Sequence, residues 1–183
     1  MPLILTIRAK DEGGEKNIPD KSKARIFREN IPLVDAVDIE LNSAILPEVV
    51  KAARENRKTV IISTHYLKTT PPDKALRKVL SKAKNAGAHI IKIAAMANKE
   101  KDVNRLMMFT IENKAKDIIT ISLGKIGCIS RLAFPGMGSL ITYTFINRPS
   151  GPGQVKLNAL REHLRIYYPK YAESPRNKKK IKK

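Results

Sequence analysis

The chain has one cysteine, Cys128, in 183 residues. A single thiol can neither close an intramolecular disulfide nor supply a cysteine-based zinc site. No run of about 18 apolar residues occurs, so no transmembrane helix is expected. The start, Met1-Pro2-Leu3-Ile4-Leu5-Thr6-Ile7-Arg8, lacks the basic segment and small-residue cleavage site of a secretory leader and reads as a strand. A cytoplasmic protein with no membrane partner is the default expectation. Neither G-x-G-x-x-G nor G-x-x-x-x-G-K-[ST] follows a strand, which counts against dinucleotide and P-loop nucleotide binding. Acidic residues are scarce as well: 17 stand against 36 Lys and Arg, for a formal net charge of +19.

Part of that excess is local. Lys170 and the run Arg176-Asn177-Lys178-Lys179-Lys180-Ile181-Lys182-Lys183 give a basic end without periodicity, after Ser174-Pro175. Residues 170–183 are therefore expected to be a disordered tail that touches nucleic acid only non-specifically, through phosphates. The remaining chain, 1–169, is of one-domain size. It is still basic, which suits a small anionic substrate.

Apolar runs of strand length alternate with helix-like segments. Strands are expected at Leu3–Ile7, Val34–Leu41, Thr59–Ser63, His89–Ala95, Asp117–Leu123 and Ser139–Phe145. Helices are expected at Asp20–Asn30, Leu46–Asn56, Asp73–Ala86, Lys99–Asn113 and Leu157–Tyr167. Continuous apolar strands between helices indicate a parallel sheet buried on both faces, hence an α/β architecture. Polar candidates fall just after strand ends: Arg8, Glu12, His65, Arg131 and Ser150. In parallel α/β folds that end carries the ligand.

Lys92 lies within the apolar strand His89-Ile90-Ile91-Lys92-Ile93-Ala94-Ala95. A buried lysine is either paired or driven toward its neutral amine. A neutral amine adds to carbonyls, so this setting suggests Schiff-base chemistry. Spacing alone also admits an edge lysine whose head reaches water, and leans toward that reading.

The segments Thr6-Ile7-Arg8-Ala9-Lys10-Asp11-Glu12-Gly13-Gly14, Val37-Asp38-Ile39-Glu40-Leu41, Ser63-Thr64-His65, Ile91-Lys92-Ile93-Ala94, Ile129-Ser130-Arg131-Leu132, Gly138-Ser139 and Ser150-Gly151-Pro152-Gly153-Gln154 change that balance. Each is weak alone. In this order and spacing they resemble the type I 3-dehydroquinate dehydratases, (β/α)8-barrel (TIM-barrel) hydro-lyases of the shikimate pathway. The resemblance implies that Lys92 forms an imine with the ketone of 3-dehydroquinate and that His65 is the general acid and base. It implies that Glu12 and Asp38 orient His65, and that Arg131 grips the substrate carboxylate. Arg8, Ser150 and Gln154 would hydrogen-bond the substrate, under a closing loop at 147–154. Tyr143 stands where the family has an aromatic wall, with core packing equally open. The resemblance implies no cofactor, no metal and a homodimer.

The family's first two strand–helix units have no counterpart here, and Met1 falls at the start of what would be strand three. The expectation is a barrel domain over 1–169 with about six of its eight strands, the chain start being misassigned. Two other readings compete. Another imine-forming, aldolase-like lyase shares Lys92 but leaves the order of the other motifs unexplained. A basic nucleic-acid-binding protein without catalysis explains the tail but not an apolar-strand lysine, and no aromatic-studded basic strand is present.

Overall fold

The computed structural model describes residues 2–173. Five strands, β1 (Ile4–Thr6), β2 (Ala36–Glu40), β3 (Thr59–Tyr66), β4 (Ile90–Met96) and β5 (Ile118–Leu123), form one parallel sheet in chain order. Parallel neighbours need crossover connections. Here these run through α1 (Asp20–Asn30), α2 (Leu46–Glu55), α3 (Asp73–Asn85) and α4 (Glu100–Glu112). After β5 come α5 (Gly124–Gly127), α6 (Ser130–Met137), a short parallel ladder of β6 (Thr144–Phe145) with β7 (Val155–Lys156), α7 (Leu157–Tyr167) and α8 (Pro169–Glu173).

Period-two alternation sorts the strand residues. Val37, Ile39, Val60, Ile62, Ile91, Ile93 and Ile118 pack outward with the helices, around Phe27, Leu76 and Leu106. The opposite face carries a smaller cluster of Ala36, Ile61, Ala94, Ile119, Ile121 and Leu123, with Ile141 and Tyr143 packed against it. Asp38, Ser63 and Lys92 belong to this inner face and interrupt its apolar run. Helices supply the outer layer by 3–4 spacing: α3 buries Leu76, Val79, Leu80 and Ala83. At the start of α4 the buried Asp102 accepts the backbone N–H groups of Asn98 and Lys99, satisfying donors that a helix start leaves free.

The expected α/β parallel sheet is present, with two differences. Five strands, not six, share the sheet. In the segment expected as a strand at Ser139–Phe145, only Thr144–Phe145 is extended, and it pairs with β7. Its first residues satisfy β5 in another way: Leu140 N–H donates to Ile118 O, and the Ser139 hydroxyl oxygen accepts from Thr120 N–H. A side chain there replaces a ladder bond, so no strand continues. The expected tail begins as helix, since 170–173 lie in α8. The rest of that expectation falls on 174–183, outside the described residues. Among the described residues no helix is long and apolar enough to cross a membrane.

Candidate active site

Lys92 projects from the middle of β4 onto the inner face and is 6% exposed. Its Nζ donates to Asp38 Oδ2 at 2.8 Å. The other Asp38 oxygen accepts from Arg8 Nη2 at 2.7 Å and from the Ser63 hydroxyl at 2.6 Å. Arg8 Nη1 donates to Glu40 Oε1 at 2.9 Å and to Ser63 Oγ at 2.8 Å, and the Ala9 N–H reaches the same Glu40 oxygen. Strands β2, β3 and β4 and the segment just after β1 thus contribute to one charged network. The bonds are charge-assisted and compensate the burial of the ions.

The network sets the protonation states. Burial pushes the Asp38 carboxyl up, but the Lys92 ammonium and the Arg8 guanidinium outweigh it and hold its pKa at about 2. Burial pulls the Lys92 ammonium below its ordinary value; Asp38 opposes this, while Arg8 and Arg131 add to it. Lys92 is therefore neither a free surface amine nor an unpaired buried charge. It is an ammonium weakened toward the neutral form.

Glu12 sits at the end of a 3-10 turn, Lys10–Glu12, that folds back over the end of β1. Gly14 makes the fold-back possible. Its N–H donates to Ala9 O, and a Cβ there would lie 2.0 Å from the Arg8 carbonyl oxygen. Glu12 Oε2 accepts the His65 backbone N–H at 2.9 Å and lies 2.8 Å from His65 Nδ1. A carboxylate only accepts, so Nδ1 carries the proton and Nε2 is left with the free lone pair. Burial lowers the His65 pKa, with Arg8 and Lys92 adding to the effect against the pull of Glu12. The imidazole is thus neutral and basic at Nε2 near neutral pH.

Arg131 is 3% exposed on α6. The helix start is pinned to β5 by Ser130, whose hydroxyl bonds the backbone of Ser122. Burial pushes the Arg131 pKa down to about 10. Among the described residues its Nε has no partner, and its Nη2 makes only a 3.5 Å bond to Pro152 O. A buried cation with unused donors fits a carboxylate. Pro152 belongs to the 147–154 loop, which also docks by the Gly124 N–H to Pro152 O. Ser150 and Gln154 bond one another within that loop, through Ser150 N–H to Gln154 Oε1 at 2.8 Å.

The structure brings Lys92, Asp38, Arg8, His65 and Glu12 together, and the bonds of two of them differ from those the expected roles imply. The expected role of Asp38 is to orient His65, but its hydrogen bonds among the described residues go to Lys92, Arg8 and Ser63. The reason is register: Ser63, two residues before His65 on β3, is the one that reaches Asp38. Arg8 was expected to meet substrate, yet both its terminal nitrogens are engaged by Asp38, Glu40, Ser63 and Thr6. Among the described residues Ser150 and Gln154 bond one another and not Lys92, His65 or Arg8. Sequence reasoning missed the part played by Ser63 and Glu40. Period two from His65 and Asp38 was the signal available for both. It also missed the buried Lys23, which lines a cavity of about 640 Å³ together with Glu12 and Glu40. Among the described residues no group of three or more His, Cys, Asp or Glu could hold a metal.

The chain is similar to proteins of known kind over nearly all its length. The 3-dehydroquinate dehydratase of Thermodesulfovibrio yellowstonii is 38% identical over 157 residues, covering 86% of this chain and 69% of that protein. The solved 3-dehydroquinate dehydratase of Geobacillus kaustophilus superposes with a TM-score of 0.84 at 29% identity, covering 91% of this chain and 69% of that one. The type I enzyme of Clostridium difficile, solved with covalently modified comenic acid, gives a TM-score of 0.82 at 36% identity, covering 90% of this chain and 68% of that one. The family model for type I 3-dehydroquinase matches residues 1–170. By this match, and by a site that pairs a buried strand lysine with a carboxylate-oriented histidine, the chain belongs to the type I 3-dehydroquinase family.

Proposed function

We propose that this chain dehydrates 3-dehydroquinate to 3-dehydroshikimate through an imine on Lys92. The observation that carries the reading is the buried Lys92–Asp38 contact of 2.8 Å beside the His65–Glu12 pair. Lys92, once deprotonated, adds through Nζ to the ring ketone. Loss of water leaves a protonated imine, whose positive charge again faces Asp38. The iminium draws electrons from the neighbouring carbon, and His65 Nε2 takes the proton from it. The resulting enamine expels the hydroxyl group one carbon further on. The His65 imidazolium returns its proton to that group, which leaves as water. Hydrolysis of the new iminium frees the product and restores the amine. The water lost on imine formation is regained at hydrolysis, so one water leaves per turnover.

Arg131 holds the substrate carboxylate in this reading, and the loop 147–154 brings Ser150 and Gln154 over the ring. Arg8 keeps Asp38 and Glu40 in place, and turns to the substrate only if those bonds give way. The five parallel strands form an arc of a (β/α)8 barrel. Their chain order, their helical outer layer and their polar inner residues support this. A cytoplasmic homodimer accords with the same family.

The test is reductive trapping. Borohydride added with 3-dehydroquinate is expected to leave a single covalent adduct on Lys92, located by mass spectrometry, and Lys92→Ala to leave none. An adduct elsewhere, or dehydration that persists without Lys92, overturns the mechanism.

A further inference from the structure

Lys92 has a second neighbour besides Asp38. Its Nζ lies 4.3 Å from the centroid of the Tyr143 ring. The Tyr143 hydroxyl is buried and has no hydrogen-bond partner among the described residues, so its own polar group does not hold the ring there. It is held by its flanks. The Ser139 hydroxyl bonds the backbone of Thr120, Leu140 N–H donates to Ile118 O, and the Thr142 hydroxyl donates to Arg131 O. These bonds fasten the segment to β5 and α6, and Tyr143 packs against the apolar cluster of the inner face.

We propose that Tyr143 is a positioning residue whose ring face, rather than its hydroxyl, fixes the Lys92 nitrogen and the cation it becomes. This inference rests on the imine mechanism above. An ammonium has three N–H groups to share. The iminium has one, and Asp38 Oδ2 takes it. A second carboxylate would then have no donor to meet, and in the resting state it would hold Lys92 as a fully bonded ammonium that cannot attack. The negative face of an aromatic ring attracts a cation without needing an N–H. It favours ammonium and iminium alike, and cannot take a proton from either. The nitrogen is thereby held from the Asp38 side and from the ring side as its bonding changes.

The experiment compares wild type with Tyr143→Phe, Tyr143→Leu and Tyr143→pentafluorophenylalanine in the full chain. The last keeps ring shape but reverses its electrostatics, so it reports even where the leucine variant fails to fold. The first readout is the rate of borohydride-trappable imine on Lys92. The second is the pH dependence of Lys92 labelling by a small acylating reagent, which needs no substrate. Phe is expected to trap within about twofold of wild type, and the leucine and fluorinated variants roughly 3- to 30-fold more slowly. Loss of the ring's attraction favours the neutral amine, so the labelling midpoint is expected to move to lower pH in those two variants and not in Phe. Asp38 and Glu40 on β2, Arg8 beyond β1, Glu12 in the turn that follows, His65 on β3 and Arg131 on α6 are charged or titratable groups of this site. All of them are common to every variant, so the difference isolates the ring. A space-filling role would leave the midpoint of the fluorinated variant where wild type has it. That result, or a Phe variant as slow as the fluorinated one, overturns the proposal. Wild type that traps no imine would count against the mechanism instead, and the labelling midpoints would still judge the ring.

Discussion

Asp38 accepts from Lys92, Arg8 and Ser63 at once, and this ties the stability of the fold to pH. Its pKa falls from an ordinary 3.8 to about 2 in the folded chain, a difference worth ~2 kcal/mol. A carboxyl whose folded pKa is depressed adds stability above its unfolded pKa and loses it as pH falls through the folded one. Urea unfolding at pH 5, 4, 3 and 2 should therefore show wild type losing ~2 kcal/mol more than Asp38→Asn between pH 4 and 2. Parallel losses in the two proteins would place the acid sensitivity elsewhere. The residue types of the site were legible in the sequence: Lys92, His65, Glu12, Asp38 and Arg131 could all be named from motif order. Their partners were less so. Period two shows which face a strand residue takes but not how far along the neighbouring strand its side chain reaches. For that reason Asp38 was assigned to His65 when its bonds run to Lys92.

At the scale of the element, the turn after β1 decides whether the histidine works. Glu12 reaches His65 only because the backbone at Gly14 packs against the Arg8 carbonyl closely enough to exclude a side chain. Gly14→Ala must push this turn outward, since all three atoms its Cβ would meet, Arg8 O, Arg8 C and Ala9 O, belong to the backbone. We expect kcat to fall roughly 10- to 100-fold as Glu12 leaves Nδ1, with ~1–3 kcal/mol lost from stability. Steady-state kinetics and thermal unfolding measure the two. Wild-type kcat in this variant would mean that His65 needs no orienting carboxylate. Helices and strands up to β5 were legible because the helices carry apolar residues at 3–4 spacing and the strands are short, continuous apolar runs between polar stretches. The segment at 139–145 was not. Its alternating residues read as a strand, while the bond that ends the ladder comes from the Ser139 side chain, which no periodicity reports.

At the scale of the molecule, the charge of +19 argues for affinity to polyanions that is separate from catalysis. Arg176, Lys178, Lys179, Lys180, Lys182 and Lys183 carry a dense share of it beyond the last matched site residue. Removing 175–183 is expected to leave kcat and KM within about twofold and to release the protein from DNA at lower salt, because phosphate contacts are lost with each cation. A large fall in activity would show that these residues act on the site. The sheet carries a different consequence, for the order in which the chain assembles. Spatial order equals chain order from β1 to β5, so each strand meets its neighbour after a single crossover, and loop closure never spans more than one helix. A chain emerging from the ribosome can add strands one at a time. The charges follow the same sequence. Arg8 and Asp38 neutralise each other as soon as β2 docks, Ser63 joins with β3, and Lys92 enters last, into a carboxylate already held in place. Within the Asp38 network the reactive amine is thus the last charge to be buried, and the carboxylate that receives it is held by Arg8 and Ser63 before it arrives.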